Sequence, residues 1–250
     1  MTDQDSNKTV EPIINLKDVH LTLNSAAGPV HILRGVSLSV MPGETVGIVG
    51  PSGSGKSTLM SVMTGLEQAS SGVVMIDGLD YLARSEDELA LHRRKRIGIL
   101  LQSFHLIPTM TAHENVAVPL ELAGNEDAFD LAEEELNHVG LDHRLEHYPA
   151  QLSGGEQQRV AMARAIAPNP KILYADEPTG NLDGSTGAQI IDLMFALHER
   201  KETTLVLITH DPSLAKRCDR VIHMRDGLIE REEVGEGNSL TKKAEKAAAQ

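Results

Sequence analysis

Four short runs along the chain are mostly apolar: Glu44-Thr45-Val46-Gly47-Ile48-Val49, Ile97-Gly98-Ile99-Leu100, Lys171-Ile172-Leu173-Tyr174-Ala175-Asp176-Glu177 and Thr204-Leu205-Val206-Leu207-Ile208-Thr209. Runs this short, with no polar face, predict strands buried on both sides, as in a parallel sheet covered by helices. Elsewhere the apolar positions recur at helical spacing, over 57–63, 111–122, 127–139 and 156–166, with Gly124-Asn125 and Gly140 as breaks. Strand signals dominate from 12 to 102, helical ones from 103 to 158, and strand–helix alternation resumes to 232. The pattern predicts an α/β core, 12–102 and 159–232, interrupted by a helical subdomain, 103–158. Residues 1–11 and the Gly-, Lys- and Ala-rich stretch 233–250 are expected to be flexible tails. Neither internal repeats nor an added regulatory domain are expected.

The turn after the first run reads Gly50-Pro51-Ser52-Gly53-Ser54-Gly55-Lys56-Ser57-Thr58. Between a strand and a helix this is a phosphate-binding loop. Glycines let backbone N–H groups converge on phosphate oxygens, and the helix N-terminus adds partial positive charge. Lys56 is expected to reach the β- and γ-phosphates, and the Ser57 hydroxyl to ligate Mg²⁺. The third run ends in Asp176-Glu177. Asp176 suits the Mg²⁺ shell, while Glu177, one residue on, can polarise an attacking water. The fourth run ends near His210, at a strand terminus where a parallel sheet places its ligands. Ser153 is an N-cap before a strong helix pattern, and Gly154-Gly155 leave bare N–H groups there. That suits either an anion site or an ordinary capped helix.

Composition narrows the function. A net charge of −13 and 2% aromatic residues argue against a nucleic-acid groove. The basic cluster His92-Arg93-Arg94-Lys95-Arg96 reads as a helix C-terminus complementing its dipole, or as a contact for anionic lipid headgroups. Cys218 is the single cysteine, which fits a reducing compartment, and no apolar stretch reaches bilayer length. His143 and His147 are expected to share a solvated helix face, with His138 nearby, rather than hold a metal.

The motifs in their order resemble those of the ATP-binding cassette (ABC) ATPases over roughly 12–232. Gly50 to Ser57 resembles the Walker A loop and Gln102 the Q-loop. Leu152-Ser153-Gly154-Gly155-Glu156-Gln157-Gln158 resembles the signature loop, Ile172 to Glu177 Walker B, Asn181-Leu182-Asp183 the D-loop and His210 the switch histidine. Within the family, Gln102 to Thr109, Tyr148 to Arg159 and Ala175 to Asp183 are similar to the lipoprotein-release and macrolide-export branch (LolD-like, MacB-like), and most to YbbA-like members.

The resemblance implies a P-loop NTPase fold: a RecA-like core with an antiparallel β edge and an inserted helical subdomain. It implies an ATP hydrolase using ATP and Mg²⁺. Glu177, His210 and Gln102 would be catalytic, with Ser57, Asp176 and Gln102 at the metal. Ser153, Gly154, Gly155 and Asp183 would complete the site of a second copy packed head to tail. The early position usually held by an adenine-stacking aromatic is Leu23 here, which implies weaker discrimination between ATP and GTP.

The branch further implies a separate permease of the MacB/FtsX-like, force-transmitting type. The ATPase would sit on the cytoplasmic face of the inner membrane, and the work would concern lipids, lipoproteins or hydrophobic compounds. The apolar group Phe104, Leu106, Ile107 and Met110 would then receive a permease helix, or else pack locally. The core motifs also allow an ATPase subunit of a conventional solute importer, or a soluble ABC ATPase outside transport.

Overall fold

The four apolar runs lie side by side in one sheet. The computed structural model describes residues 10–25 and 28–237. The runs become β3 (Thr45–Val49), β6 (Ile97–Leu100), β7 (Ile172–Asp176) and β8 (Thr204–Ile208), joined by β9 (Arg220–Arg225) and β10 (Leu228–Val234). Their order is β10-β9-β3-β8-β7-β6, parallel throughout except for the antiparallel edge strand β10. A second, antiparallel sheet, β2-β1-β4-β5, is built from β1 (Ile14–Ser25), β2 (Gly28–Val40), β4 (Ser71–Ile76) and β5 (Leu79–Asp80).

Alternate residues of the parallel strands feed two cores, as the two-residue period of a strand requires. Ile172, Tyr174, Val206 and Ile208 face helix α1 (Lys56–Thr64) and the antiparallel sheet, meeting Leu59, Met63, Ile14 and Leu16. Leu173, Ala175, Leu205 and Leu207 face the other way, toward helices. Each fully buried Leu or Ile contributes about 1.5–3 kcal/mol, so burial on both faces explains why these strands carry no polar positions.

Helix α2 (Glu86–Arg96) carries the basic cluster in its last turn, opposite Glu86, Asp87 and Glu88 in its first. Arg93 donates to the Gly65 carbonyl (2.7 Å) and Arg96 pairs with Asp77 (3.3 Å), which engages the cluster in capping and tertiary contacts. The helical region holds α3 (Ala112–Leu122), α4 (Ala128–His138) and α5 (Gly154–Ile166). Thr111 and Ser153 start α3 and α5 with reciprocal capping boxes to Glu114 and Glu156. These helices share one core with α6 (Gly184–Lys201) and the sheet. Buried Glu135 on α4 adds a polar tie by pairing with Arg200 and Lys201 of α6.

His143 lies in one turn of 3-10 helix (Asp142–Arg144), and His147 follows it in irregular backbone. The helix face expected to carry both does not form, because the Ala112 N–H takes the His147 carbonyl (2.8 Å) and draws that segment onto the start of α3. His138 instead meets Arg200 (3.2 Å). Strand β10 continues to Val234, two residues into the stretch expected to be a tail, while 1–9 and 238–250 lie outside the described residues. Among the described residues no helix is long and apolar enough to cross a membrane.

Asn115 organises the loop before α3. Its side chain is fully buried; Nδ2 donates to the carbonyls of Ile107, Met110 and Thr111, and Oδ1 accepts the Ile107 N–H (2.7 Å). Removing it strands several buried backbone groups. Asn115→Ala is expected to lower unfolding free energy by about 2–3 kcal/mol, read as a reduced urea midpoint.

Candidate functional site

Because β3, β8, β7 and β6 are adjacent and parallel, their carboxyl ends form a row. Ile48 pairs with Ile208, Ile208 with Asp176, and Ala175 with Leu100. The loop after β3, the His210 segment after β8, the Asp176-Glu177 pair of β7 and Gln102 after β6 are therefore brought to one edge, where open α/β sheets bind ligands.

The glycine loop is fixed by close approach. A Cβ on Gly50 would lie 2.2 Å from the Met224 carbonyl oxygen of the neighbouring β9, so no other residue fits. Gly55 precedes α1 at φ +98°, a conformation that side chains disfavour. Lys56 Nζ donates to the carbonyls of Gly50 (2.9 Å) and Pro51 (3.0 Å), which holds its ammonium over the loop.

Asp176 is half-buried, and its Oδ1 is buried with no hydrogen-bond partner. Burial raises its pKa; hydrogen bonding to Ser57 and the charge of Lys56 oppose the rise, and the charge of Glu177 adds to it. Glu177 sits at φ +47°, a region few residues other than glycine occupy, with its N–H on the Ile208 carbonyl (2.9 Å). Its Oε2 lies 2.8 Å from His210 Nδ1, and His210 is largely exposed. The Gln102 carbonyl accepts from Asn181 Nδ2 (2.9 Å), and its amide lies over Gly180, where a Cβ would be 2.7 Å from Nε2.

A cavity of about 500 Å³ joins these groups. Gly50, Ser52, Gly53, Gly55, Lys56, Ser57 and Thr58 line one wall, and Gln102, Asp176, Glu177, Gly180 and His210 the other. The structure thus gathers most of the residues expected at one site. Pro51 and Ser54 belong to the loop without lining the cavity. Leu23 of β1 does not line it either: it pairs with Val30 of β2, both exposed, and Ile32 of β2 reaches the cavity instead.

Ser153, Gly154, Gly155 and Asp183 also lie outside that cavity. Ser153 Oγ accepts the Glu156 N–H (3.3 Å), and the Glu156 carboxylate takes the Ser153 N–H (2.8 Å). That backbone bond, then the Ser153 hydroxyl and Arg144, hold Glu156 down to about 2. Gly155 also has a reason within the chain, since a Cβ there would sit 2.6 Å from Thr186 Cγ2 on α6. Asp183 caps α6, accepting from the N–H groups of Thr186 (3.0 Å) and Ser185 (3.1 Å), which keep it well below the ordinary carboxylate range.

Contacts that sequence reasoning missed tie α5 to the site. Gln158 Nε2 donates to the Pro178 carbonyl (2.7 Å), and Arg164 donates to those of Phe104 and His105. The readable signal was a charged residue amid the alanines of a mostly buried helix, at Arg164.

A strand–glycine loop–helix unit, a carboxylate pair two strands away and a helical insertion led by a capped glycine helix define a P-loop NTPase of the cassette type. Residues 33–180 match the family described as ABC transporter. The chain is 47% identical over 226 residues to the uncharacterized ABC transporter ATP-binding protein YbbA of Escherichia coli K12, covering 88% of this chain and 99% of the relative. The lipoprotein-releasing system ATP-binding protein LolD 2 of Caulobacter vibrioides is 43% identical, covering 90% and 99%. The macrolide export ATP-binding/permease protein MacB of Escherichia coli K12 is 43% identical over 88% of this chain, which spans 34% of that longer protein. Among solved structures, the dimeric ATP-binding cassette MJ0796 in a post-hydrolysis state with ADP and Pi superposes with a TM-score of 0.82 at 41% identity, covering 90% of this chain and 99% of that one. The chain belongs to the ABC transporter family, as an ATP-binding subunit of the kind that hydrolyses ATP.

Burial opposes the charge on Asp176. A group whose folded pKa is raised destabilises the fold once ionised, at pH values above its shifted pKa. Asp176→Asn is therefore expected to raise Tm by about 2–4 °C in EDTA without nucleotide. It should also lose the added stabilisation that Mg²⁺ and ATP together give the native protein; both effects are read by thermal denaturation.

Proposed function

We propose that the protein acts as a head-to-tail dimer with two shared ATP sites and drives a separate membrane permease of the MacB/FtsX-like type. The observation that carries the catalytic part is the Glu177–His210 contact of 2.8 Å at the mouth of a cavity whose other wall is the glycine loop. Lys56 and the loop N–H groups hold the phosphates. Glu177 is the general base that takes a proton from the attacking water. His210 orients that carboxylate and contacts the γ-phosphate, and Gln102 reports its presence. Ser57, Asp176 and Gln102 offer a hard oxygen set, and the unpartnered Asp176 Oδ1 fits a cation. Mg²⁺ bound there supplies neutralisation of phosphate charge.

Ser153, Gly154 and Gly155 stand at the start of α5, away from this chain's own cavity, which supports their use in closing the site of a second copy, with Asp183 linking the two sites. The dimeric state of the solved relative supports the same arrangement. Similarity to LolD and MacB along most of the chain supports work on lipids, lipoproteins or hydrophobic compounds at the cytoplasmic face of the inner membrane. The division proposed is a core of 12–102 and 159–232 with a helical insert of 103–158; α5 crosses the second boundary and couples the two parts.

Glu177→Gln is expected to reduce turnover by about 10²–10⁴-fold while leaving ATP affinity intact; native turnover in that variant would refute the assignment of the base. The same variant, captured from detergent-solubilised membranes with ATP, should bring down a permease with few spans and a large periplasmic domain. Recovery of a many-span permease with a solute-binding protein would indicate an importer, and no membrane partner a soluble ATPase. For the base, Leu23 and Ile32 offer aliphatic contact without stacking. Leu23→Tyr should raise the preference for ATP over GTP in competition binding.

A further inference from the structure

Arg164 lies about three turns along α5 from Ser153. Its side chain is mostly buried, and burial pushes its pKa down, with no carboxylate among the described residues offsetting the loss of water. A buried cation without an anion is costly unless its N–H groups find acceptors. Here Nη1 donates to the His105 carbonyl (2.7 Å) and Nη2 to that of Phe104 (2.9 Å). The turn that offers two successive carbonyls to one guanidinium passes through His105 at φ +48°, where residues other than glycine are uncommon.

The same loop is held at its other end. The Gln102 carbonyl takes the Asn181 amide (2.9 Å), four residues after Glu177 and one beyond the turn in which the Gly180 N–H bonds the Glu177 carbonyl. Residues 102–105 are therefore bonded upstream to the turn carrying the general base and downstream to the helix led by Ser153. A planar fork with several fixed donors can grip two carbonyls at once, which an ammonium on a flexible stem does less well.

We propose that Arg164 is a positioning residue for ATP hydrolysis: by gripping the Phe104 and His105 carbonyls it makes the Gln102 loop and the signature helix move as one body. ATP at the glycine loop then sets the angle at which Ser153 meets a second copy. This rests on the dimer reading above.

The test uses the full chain carrying Glu177→Gln, with dyes at Lys17→Cys on β1 and Glu133→Cys on α4, both exposed positions. Cys218 does not compete for label, being buried with its thiol pushed up to about 12. Energy transfer is read with and without ATP for Arg164, Arg164→Met and Arg164→Lys. ATP affinity and Tm are measured beside it, and kcat and KM in the Glu177 background. The expected result is an ATP-dependent shift with Arg164 that is lost in Arg164→Met at unchanged ATP affinity. The kcat should fall at least about tenfold with KM unchanged, and Arg164→Lys should lie between.

The proposal is overturned if Arg164→Met keeps both the shift and kcat. It is also overturned if both variants lose ATP affinity and Tm together with turnover, which would mark a merely structural residue. Should Arg164→Met fail to fold, Arg164→Lys decides alone: a reduced shift at unchanged affinity supports the clamp, and a native shift refutes it. An ATP-dependent shift in a protein that stays monomeric would refute the dimer reading and leave the clamp standing.

Discussion

The register of four parallel strands is the constraint on which the site rests. Ile48, Ile208 and Asp176 stand level across β3, β8 and β7, and Leu100 of β6 pairs with Ala175 beside them. That alignment brings the glycine loop, His210, the two carboxylates and Gln102 around one cavity. The register is held because each strand divides its apolar residues between two cores: Ile172 and Tyr174 to one, Leu173 and Ala175 to the other. A slip of one residue in β7 would exchange those sets and carry Asp176 away from Ser57. The site inherits its geometry from packing that takes no part in chemistry.

Within that frame the exposed and strained features have specific supports. Glu177 holds a left-handed backbone because its N–H is bonded to β8 and its carboxylate to His210. Gln102 is seated by Asn181 and by the missing Cβ of Gly180. Helix α5 reaches all of these: Gln158 bonds the carbonyl after Glu177, Arg164 bonds the loop after Gln102, and Gly155 lets the helix sit against α6. An α/β core and a helical insert joined through such directional bonds can transmit a rotation that apolar contact alone would blur.

Much of this was readable from the chain. The apolar runs at 44–49, 97–100, 171–177 and 204–209 announced a parallel sheet because burial on both faces removes polar alternation, and the ordered motifs gave the family, which the relatives at 41–47% identity establish. Strand order was not readable, since nothing local says that β8 separates β3 from β7. Nor was the part of Ile32, which the β1–β2 register skips between Leu21↔Leu33 and Thr22↔His31 and which lines the cavity. The helix face given to His143 and His147 failed because a backbone bond from Ala112 outweighed a short periodic pattern. Arg164 was invisible as a link because its partners are backbone carbonyls 59 and 60 residues away.

The central claim is that the start of α5 completes the site of another copy rather than its own. Cysteines placed at Ser52 and Ser153 in the Glu177→Gln protein, treated with a short bismaleimide, test it directly, since Cys218 is buried and leaves the reagent to the new thiols. The account predicts a covalent dimer that forms only when both cysteines and ATP are present. Absence of that band from a protein that binds ATP, or its equal formation without nucleotide, would contradict it.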